Sequence, residues 1–185
     1  MQAGALITAD YCALQRALHA RPEGYGGKGR RWAGVVAWLA NREGAVSVLD
    51  YGCGQGTLSL ALRQLAPFGL ACREYDPAVP GKDAAPRSAD LVVCTDVLEH
   101  VEPDRIDDVL THIRLLAQKA IFAVVSLRSS NKTMDDGRNA HLIVEVADWW
   151  RAKVSACGWQ LLDVPDLQLP PKVSREKQWI VVARP

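Results

Sequence analysis

Val48-Leu49-Asp50-Tyr51-Gly52-Cys53-Gly54-Gln55-Gly56 is the stretch whose reading decides the fold. It continues the apolar run that begins at Ala45 and reads as a buried strand. Three glycines then alternate at positions 52, 54 and 56, and Thr57 to Ala66 has helical spacing up to a stop at Pro67. A strand that passes through a glycine turn into a helix presents backbone amides and a helix N-terminus to a ligand. Glycine is needed there because a side chain blocks close approach to the backbone.

Working outward, Leu70 to Tyr75 reads as a second strand closed by Asp76-Pro77, and Leu91 to Thr95 as a strand covered on both faces. The spacing predicts one helix over Pro103 to Lys119, with Ile106, Val109, Leu110, Ile113 and Leu116 on one stripe. Ala120 to Leu127 is a further buried strand, and Ala147 to Cys157 a helix stopped by Gly158. Trp159 to Val164 and Gln178 to Ala183 form a terminal antiparallel hairpin across a proline-rich loop. Before the glycine turn, helices are expected over Thr8 to Ala20 and Arg30 to Arg42, joined by the glycine-rich turn Arg21 to Gly27. Strands that alternate with helices predict a mostly parallel sheet with helices on both faces. The 185 residues suit one domain, with 1–44 as N-terminal helices over the ligand site and 45–185 as the α/β core.

A formal net charge of +1 calls for neither a nucleic acid nor an anionic membrane as partner. The five cysteines are widely spaced without a C-x-x-C pair, so reduced thiols in a cytoplasmic protein are expected, and neither disulfides nor zinc. Met1 to Asp10 lacks the pattern of a signal peptide, and the apolar run Ala120 to Leu127 is far below the roughly 20 residues that span a bilayer. Oligomeric state is not legible.

Asp76 stands 20 residues after Gly56, at the end of the second strand, where a carboxylate accepts hydrogen bonds from ribose hydroxyls. Turn formation before Pro77 is its alternative role. The dinucleotide pattern G-x-G-x-x-G/A is not met, since Thr57 stands at the third position. Asp50 would also repel a pyrophosphate. It suits a ligand with a cationic amino-acid end, such as S-adenosylmethionine, which carries an ammonium and a sulfonium and no phosphate.

With Tyr75-Asp76-Pro77 and the run Ala89-Asp90-Leu91-Val92-Val93-Cys94-Thr95-Asp96-Val97-Leu98-Glu99-His100-Val101, the chain resembles the class I S-adenosylmethionine-dependent methyltransferases. The resemblance implies a Rossmann-like sandwich with strand order 3-2-1-4-5-7-6 and strand 7 antiparallel. It implies that Asp50, Gly52, Cys53, Gly54 and Gly56 hold the methionine part of S-adenosylmethionine, that Tyr75, Asp76 and Pro77 meet the ribose, and that Thr95, Asp96 and Val97 line the cofactor near the methyl. Asp96 is equally readable as a helix cap. Tyr25 and Gly26 either close over the cofactor or form an interhelical turn. The segment Pro77 to Ala89 is short for a helix and a strand, so strand 3 is expected to be short or missing, with Asp83-Ala84 as the substitute beside the adenine.

The polar stretch Arg128 to His141 follows the strand at 120–127 and reads as a surface loop or as an acceptor-binding lid in which Arg128, Arg138 and Asn139 contact substrate. His141 is the first candidate for a general base and His100 the second. Glu99 reads as part of a solvent-facing polar loop, and no metal ligands are nominated. The expected activity is O- or N-methylation of a small polar acceptor. The D/N/S-P-P-Y/F and proline-cysteine motifs of nucleic-acid methylation are absent. A nucleic-acid acceptor and a non-catalytic cofactor-binding subunit stand as alternatives.

Overall fold

The structure, a computed structural model, describes residues 6–21, 25–65 and 69–185. The expected stop at Pro67 and the middle of the 21–27 turn lie outside the described residues. Helix α1 (Ala9–His19) precedes a 3-10 turn (Gly29–Trp32) and α2 (Ala33–Arg42), and then come β1 (Ser47–Tyr51), α3 (Thr57–Leu65) and β2 (Ala71–Tyr75). β3 (Ala89–Thr95), a 3-10 turn (Leu98–His100), α4 (Ile106–Leu116), β4 (Ala117–Ser126), α5 (Ala147–Ala156), β5 (Gln160–Leu162) and β6 (Gln178–Arg184) complete the order.

The six strands form one sheet ordered β2-β1-β3-β4-β6-β5. β1 to β4 are parallel, and β6 runs antiparallel to both β4 and β5. The expected terminal hairpin is therefore present, with β6 inserted beside β4. The seven-strand order is corrected to six. No strand lies outside β2 among the described residues, because 77–88 contains Pro80, Gly81 and Pro86 and closes instead into a turn, with the Asp76 amide donating to the Lys82 carbonyl at 2.9 Å. β2 is an edge strand, and its first four residues are correspondingly exposed or half-buried.

Side chains alternate along the inner strands, so each strand feeds two cores. Leu49, Val92, Cys94, Ile121 and Ala123 pack with α4 and α5, including the fully buried Trp150. Val48, Leu91, Val93, Phe122 and Val124 pack with α2, α3 and Trp32. A third cluster joins Tyr11 and Leu18 of α1 to Met134 and Ala140.

The helix expected over 103–119 is shorter at both ends. Glu102 to Arg105 form a turn, with the Arg105 amide donating to the Glu102 carbonyl (2.8 Å). At the other end Ala117 adopts extended backbone and pairs with Ala89, so sheet pairing overrides helix propensity. No helix of the described residues is long and apolar enough to cross a membrane.

Candidate active site

The carboxyl ends of β1, β2, β3 and β4 open into a cleft of about 840 Å³. β1 lies between β2 and β3, so the connections leave it in opposite directions, which is where α/β sheets bind ligands. Helix α1 crosses above. The Thr8 amide and hydroxyl donate to Glu102 (2.8 and 2.6 Å), the Cys12 thiol to the Pro77 carbonyl (3.3 Å), and Tyr11 Oη to the His100 carbonyl.

The glycine turn is held from two sides. Asp76 Oδ2 accepts the Gly54 amide (2.9 Å), and its Oδ1 accepts the Ala78 amide (3.0 Å). Turn chemistry and a position on the cleft are thus both realised at Asp76, since each oxygen keeps a further lone pair. From the N-terminal side, residues 25–30 are strapped onto the turn. The Gln55 amide donates to the Gly26 carbonyl (3.1 Å), Gln55 Nε2 to the Tyr25 carbonyl (2.9 Å) and the Thr57 hydroxyl to the Gly27 carbonyl (3.0 Å). Gly54, at φ +50°, has no room for a side chain because the Gly26 backbone lies against it. Gly52 at φ +74° is likewise crowded, by Val97. Gly56 serves another purpose: it makes room for the ion pair between Glu74 and Lys82 (2.9 Å).

Asp50 is almost fully buried at the floor of the cleft. Burial first, then the neighbouring Glu74 and Asp76 carboxylates, push it up to about 7 against an opposing pull from Lys82. Cys53, Pro77, Thr95 and Val97 also line the cleft, as do Tyr25 and Gly26. Tyr75 and Gly56 do not. Tyr75 packs against Tyr51 with ring centroids 5.0 Å apart and the rings tilted by 57°, on the α4 side of the sheet. Asp83 is exposed and pairs with Arg16 of α1 (3.6 Å) instead of lining the cleft.

Asp96 holds a left-handed backbone (φ 57°) directly after β3. Its Oδ2 accepts from Arg31 (2.6 Å) and its Oδ1 from Gln178 Nε2 (3.1 Å). It caps no helix: the 3-10 turn starts after Val97 without a side-chain cap. Such a backbone at a site is strained, by on the order of 1 kcal/mol or more.

His100 and His141 also line the cleft, ring centroids 4.7 Å apart and edge to face. His100 Nδ1 is 2.6 Å from the Ala140 carbonyl and His141 Nδ1 is 2.5 Å from the Arg128 carbonyl. Burial, with His141 alongside, lowers His100 to about 3, and burial also lowers His141. Both imidazoles are therefore neutral near pH 7.

Arg128 lines the cleft, whereas Arg138 and Asn139 lie outside its lining. Arg138 pairs with Asp136 (2.6 Å) and lies over the Tyr11 ring. Asn139 Oδ1 accepts the Ser130 and His141 amides (3.0 and 2.9 Å) and its Nδ2 donates to the Ser130 carbonyl (2.8 Å), so it braces the loop that carries His141. That loop is tied to the segment just after α1 by Arg21, which reaches the Thr133 carbonyl (2.8 Å) and Asp135 (2.5 Å).

Sequence reasoning passed over Glu99, which is fully buried and not solvent-facing, and over Arg31 and Gln178, the partners of Asp96. Glu99 sits in a polar-looking stretch, and nothing local announces that the 128–143 loop covers it.

A parallel sheet with one antiparallel insertion, a glycine turn after β1 and acidic residues ending β1 and β2 define the Rossmann-like methyltransferase class. The family model described as "Methyltransferase domain" matches residues 15–167, and the chain belongs to that family. Among solved structures, the 1,6-didemethyltoxoflavin-N1-methyltransferase of Burkholderia thailandensis, with bound 1,6-didemethyltoxoflavin and S-adenosylhomocysteine, is similar at 18% identity and a TM-score of 0.63, over 95% of this chain and 88% of that one. The magnesium protoporphyrin IX methyltransferase of Synechocystis PCC 6803, with bound S-adenosylmethionine, gives 17% identity and a TM-score of 0.64, over 96% and 99% of the two chains. An S-adenosylmethionine-dependent methyltransferase from Clostridium acetobutylicum gives 10% identity and a TM-score of 0.55, over 83% and 90%. No curated protein matches the chain significantly.

Proposed function

We propose that the chain transfers a methyl group from S-adenosylmethionine to a small acidic or polar acceptor, at oxygen or nitrogen. The observation that carries this reading is Asp50: a buried carboxylate raised to about 7, facing the cleft below the glycine turn. A cationic ligand there relieves the cost of holding that charge away from water. Similar structures bind S-adenosylmethionine or S-adenosylhomocysteine, which supports the same donor here. The donor supplies a methyl already activated on a sulfonium, so the chain's task is to orient the acceptor in line with it. Asp50 and the Gly52 to Gly54 backbone hold the amino-acid end, and Asp76 offers its remaining lone pairs to the ribose. Tyr25 and Gly26 close over the donor from the N-terminal segment. His141 is better suited than His100 to take a proton from the acceptor, because a group lowered to about 3 is too weak a base.

Besides Asp50, Asp76, Glu102 and the Arg31–Asp96 pair, the cleft is lined by Lys28, Arg128, Lys132, Lys172 and Lys177, none of which has a carboxylate within ion-pair distance among the described residues. This favours an acceptor that carries a carboxylate or phosphate. It also keeps a nucleic-acid acceptor as the second reading. Titration with S-adenosylmethionine and S-adenosylhomocysteine by calorimetry, followed by transfer of labelled methyl to a panel of anionic and neutral hydroxyl and amine acceptors, tests the proposal. Absence of binding at millimolar donor would overturn it. Turnover on RNA or DNA that collapses steeply with salt would favour the second reading.

A further inference from the structure

Glu99, His100 and His141 form an arrangement that methyl transfer alone does not require. One ligating atom from each lies within 4.8 Å of the others. Glu99 is fully buried; its Oε1 accepts the Ser126 amide (3.0 Å), and its Oε2, also buried, has no hydrogen-bond partner. An unsatisfied buried oxygen of this kind is costly, and more so when charged. The two histidines are committed at the other ring nitrogen. A carbonyl only accepts, so the contacts to Ala140 and Arg128 put the proton of each imidazole on Nδ1 and leave the lone pair on Nε2. Metal-bound histidines are held in this way, the non-ligating nitrogen donating to a backbone carbonyl or carboxylate.

We propose that Glu99, His100 and His141 bind one divalent transition-metal ion at the cleft, where both histidines line it. Two imidazoles and a carboxylate suit Zn²⁺, Mn²⁺, Fe²⁺ or Co²⁺ better than Ca²⁺. Bonds of about 2.0–2.2 Å bring ligand atoms to roughly 3–3.6 Å from one another, so the three side chains close by about 1 Å on binding. The Tyr25 hydroxyl stands beside the His100 ring, 3.0 Å from Nδ1 and 3.3 Å from Nε2, and gives way to the ion at Nε2. Three protein ligands leave coordination positions free, and both histidines line the cleft, so those positions face an acceptor.

What the ion would do there rests on the methyl-transfer reading; the site itself does not. An acceptor hydroxyl bound to the ion releases its proton to solvent. Its oxygen then forms the O–CH₃ bond as the C–S bond of the donor breaks, the electron pair staying on sulfur in S-adenosylhomocysteine. His141 is then a ligand and no longer a base.

The test is calorimetric titration of the full chain, stripped with chelator, with Zn²⁺, Mn²⁺ and Co²⁺, with and without S-adenosylhomocysteine. One-to-one binding of at least one ion is expected, with visible ligand-field bands for Co²⁺. His141→Gln and His100→Gln should each weaken it by about 100-fold, no less than is lost on removing an outer-shell partner. Both variants should keep the circular dichroism spectrum and the S-adenosylhomocysteine affinity. Should Glu99→Gln or His100→Gln misfold, the half-exposed His141 still decides the matter. Lack of stoichiometric binding by all three ions, or binding undiminished in His141→Gln, overturns the metal site. Metal binding without S-adenosylhomocysteine binding would instead sink the methyl-transfer reading and leave the metal site standing.

Discussion

The backbones of Gly26 and Gly54 are in contact. A Cβ on Gly54 would stand 2.6 Å from the Gly26 carbonyl oxygen and 2.8 Å from its Cα, closer than real side chains approach. The neighbour is main chain on both counts, so no rotamer change relieves the clash. Gly54→Ala should therefore lift the 25–30 strap off the glycine turn and strain its own backbone at φ +50°. A loss of about 1–3 kcal/mol in denaturant unfolding is expected, as for overpacking, together with at least a tenfold loss of donor affinity.

Asp50 sets a pH dependence for both stability and binding. Its folded value of about 7 lies above the ordinary carboxylate value of 3.8, so between pH 4 and 7 the folded state holds a proton that the unfolded state has lost. The apo protein should lose stability as pH rises through that window. Asp50→Asn removes the effect and should stabilise the apo protein at pH 8 by up to about 4 kcal/mol, with little gain at pH 4. The same variant should lose S-adenosylmethionine. In the wild-type protein, donor binding should weaken as pH falls below 7 and should release a proton, which calorimetry in buffers of different ionisation enthalpy detects.

Asp96 separates a conformational role from an electrostatic one. Asn tolerates the left-handed backbone at φ 57° but offers Arg31 no charge. The Arg31–Asp96 pair is partly solvent-exposed, so Asp96→Asn should change stability by less than about 1 kcal/mol. Its effect should fall on turnover, at least tenfold in kcat/KM, because Thr95 to Val97 line the cleft. An unaltered kcat/KM would remove Asp96 from the site.

The basic residues along the cleft make a separate statement. Arg128→Ala and Lys177→Ala should raise KM for an anionic acceptor several-fold and leave S-adenosylhomocysteine affinity unchanged. Neutral acceptors should respond to neither substitution. Steady-state kinetics on one charged and one uncharged acceptor checks this.

Much of the framework is legible in the chain itself. The apolar runs at β1, β3 and β4, the glycine turn, and the distance from Gly56 to Asp76 specify a parallel sheet with a crevice at the end of β1. These are local patterns: a strand buried on both faces must be continuously apolar, and a closely packed turn at positive φ must be glycine. The shortness of 77–89 likewise announced the missing strand.

What only the tertiary structure decided depends on residues far apart in sequence. Glu99 in a polar stretch is fully buried because the loop carrying Ala140, His141 and Ile143 folds over it, the Ile143 amide donating to the Glu99 carbonyl at 3.1 Å. His100 and His141 face each other for the same reason. Arg31 reaches Asp96 only because residues 25–32 are strapped onto the glycine turn. Local propensity records which residues prefer a strand, a turn or a helix; which side chains share a cleft is set by how the loops at the sheet's edge pack, and no periodicity encodes that.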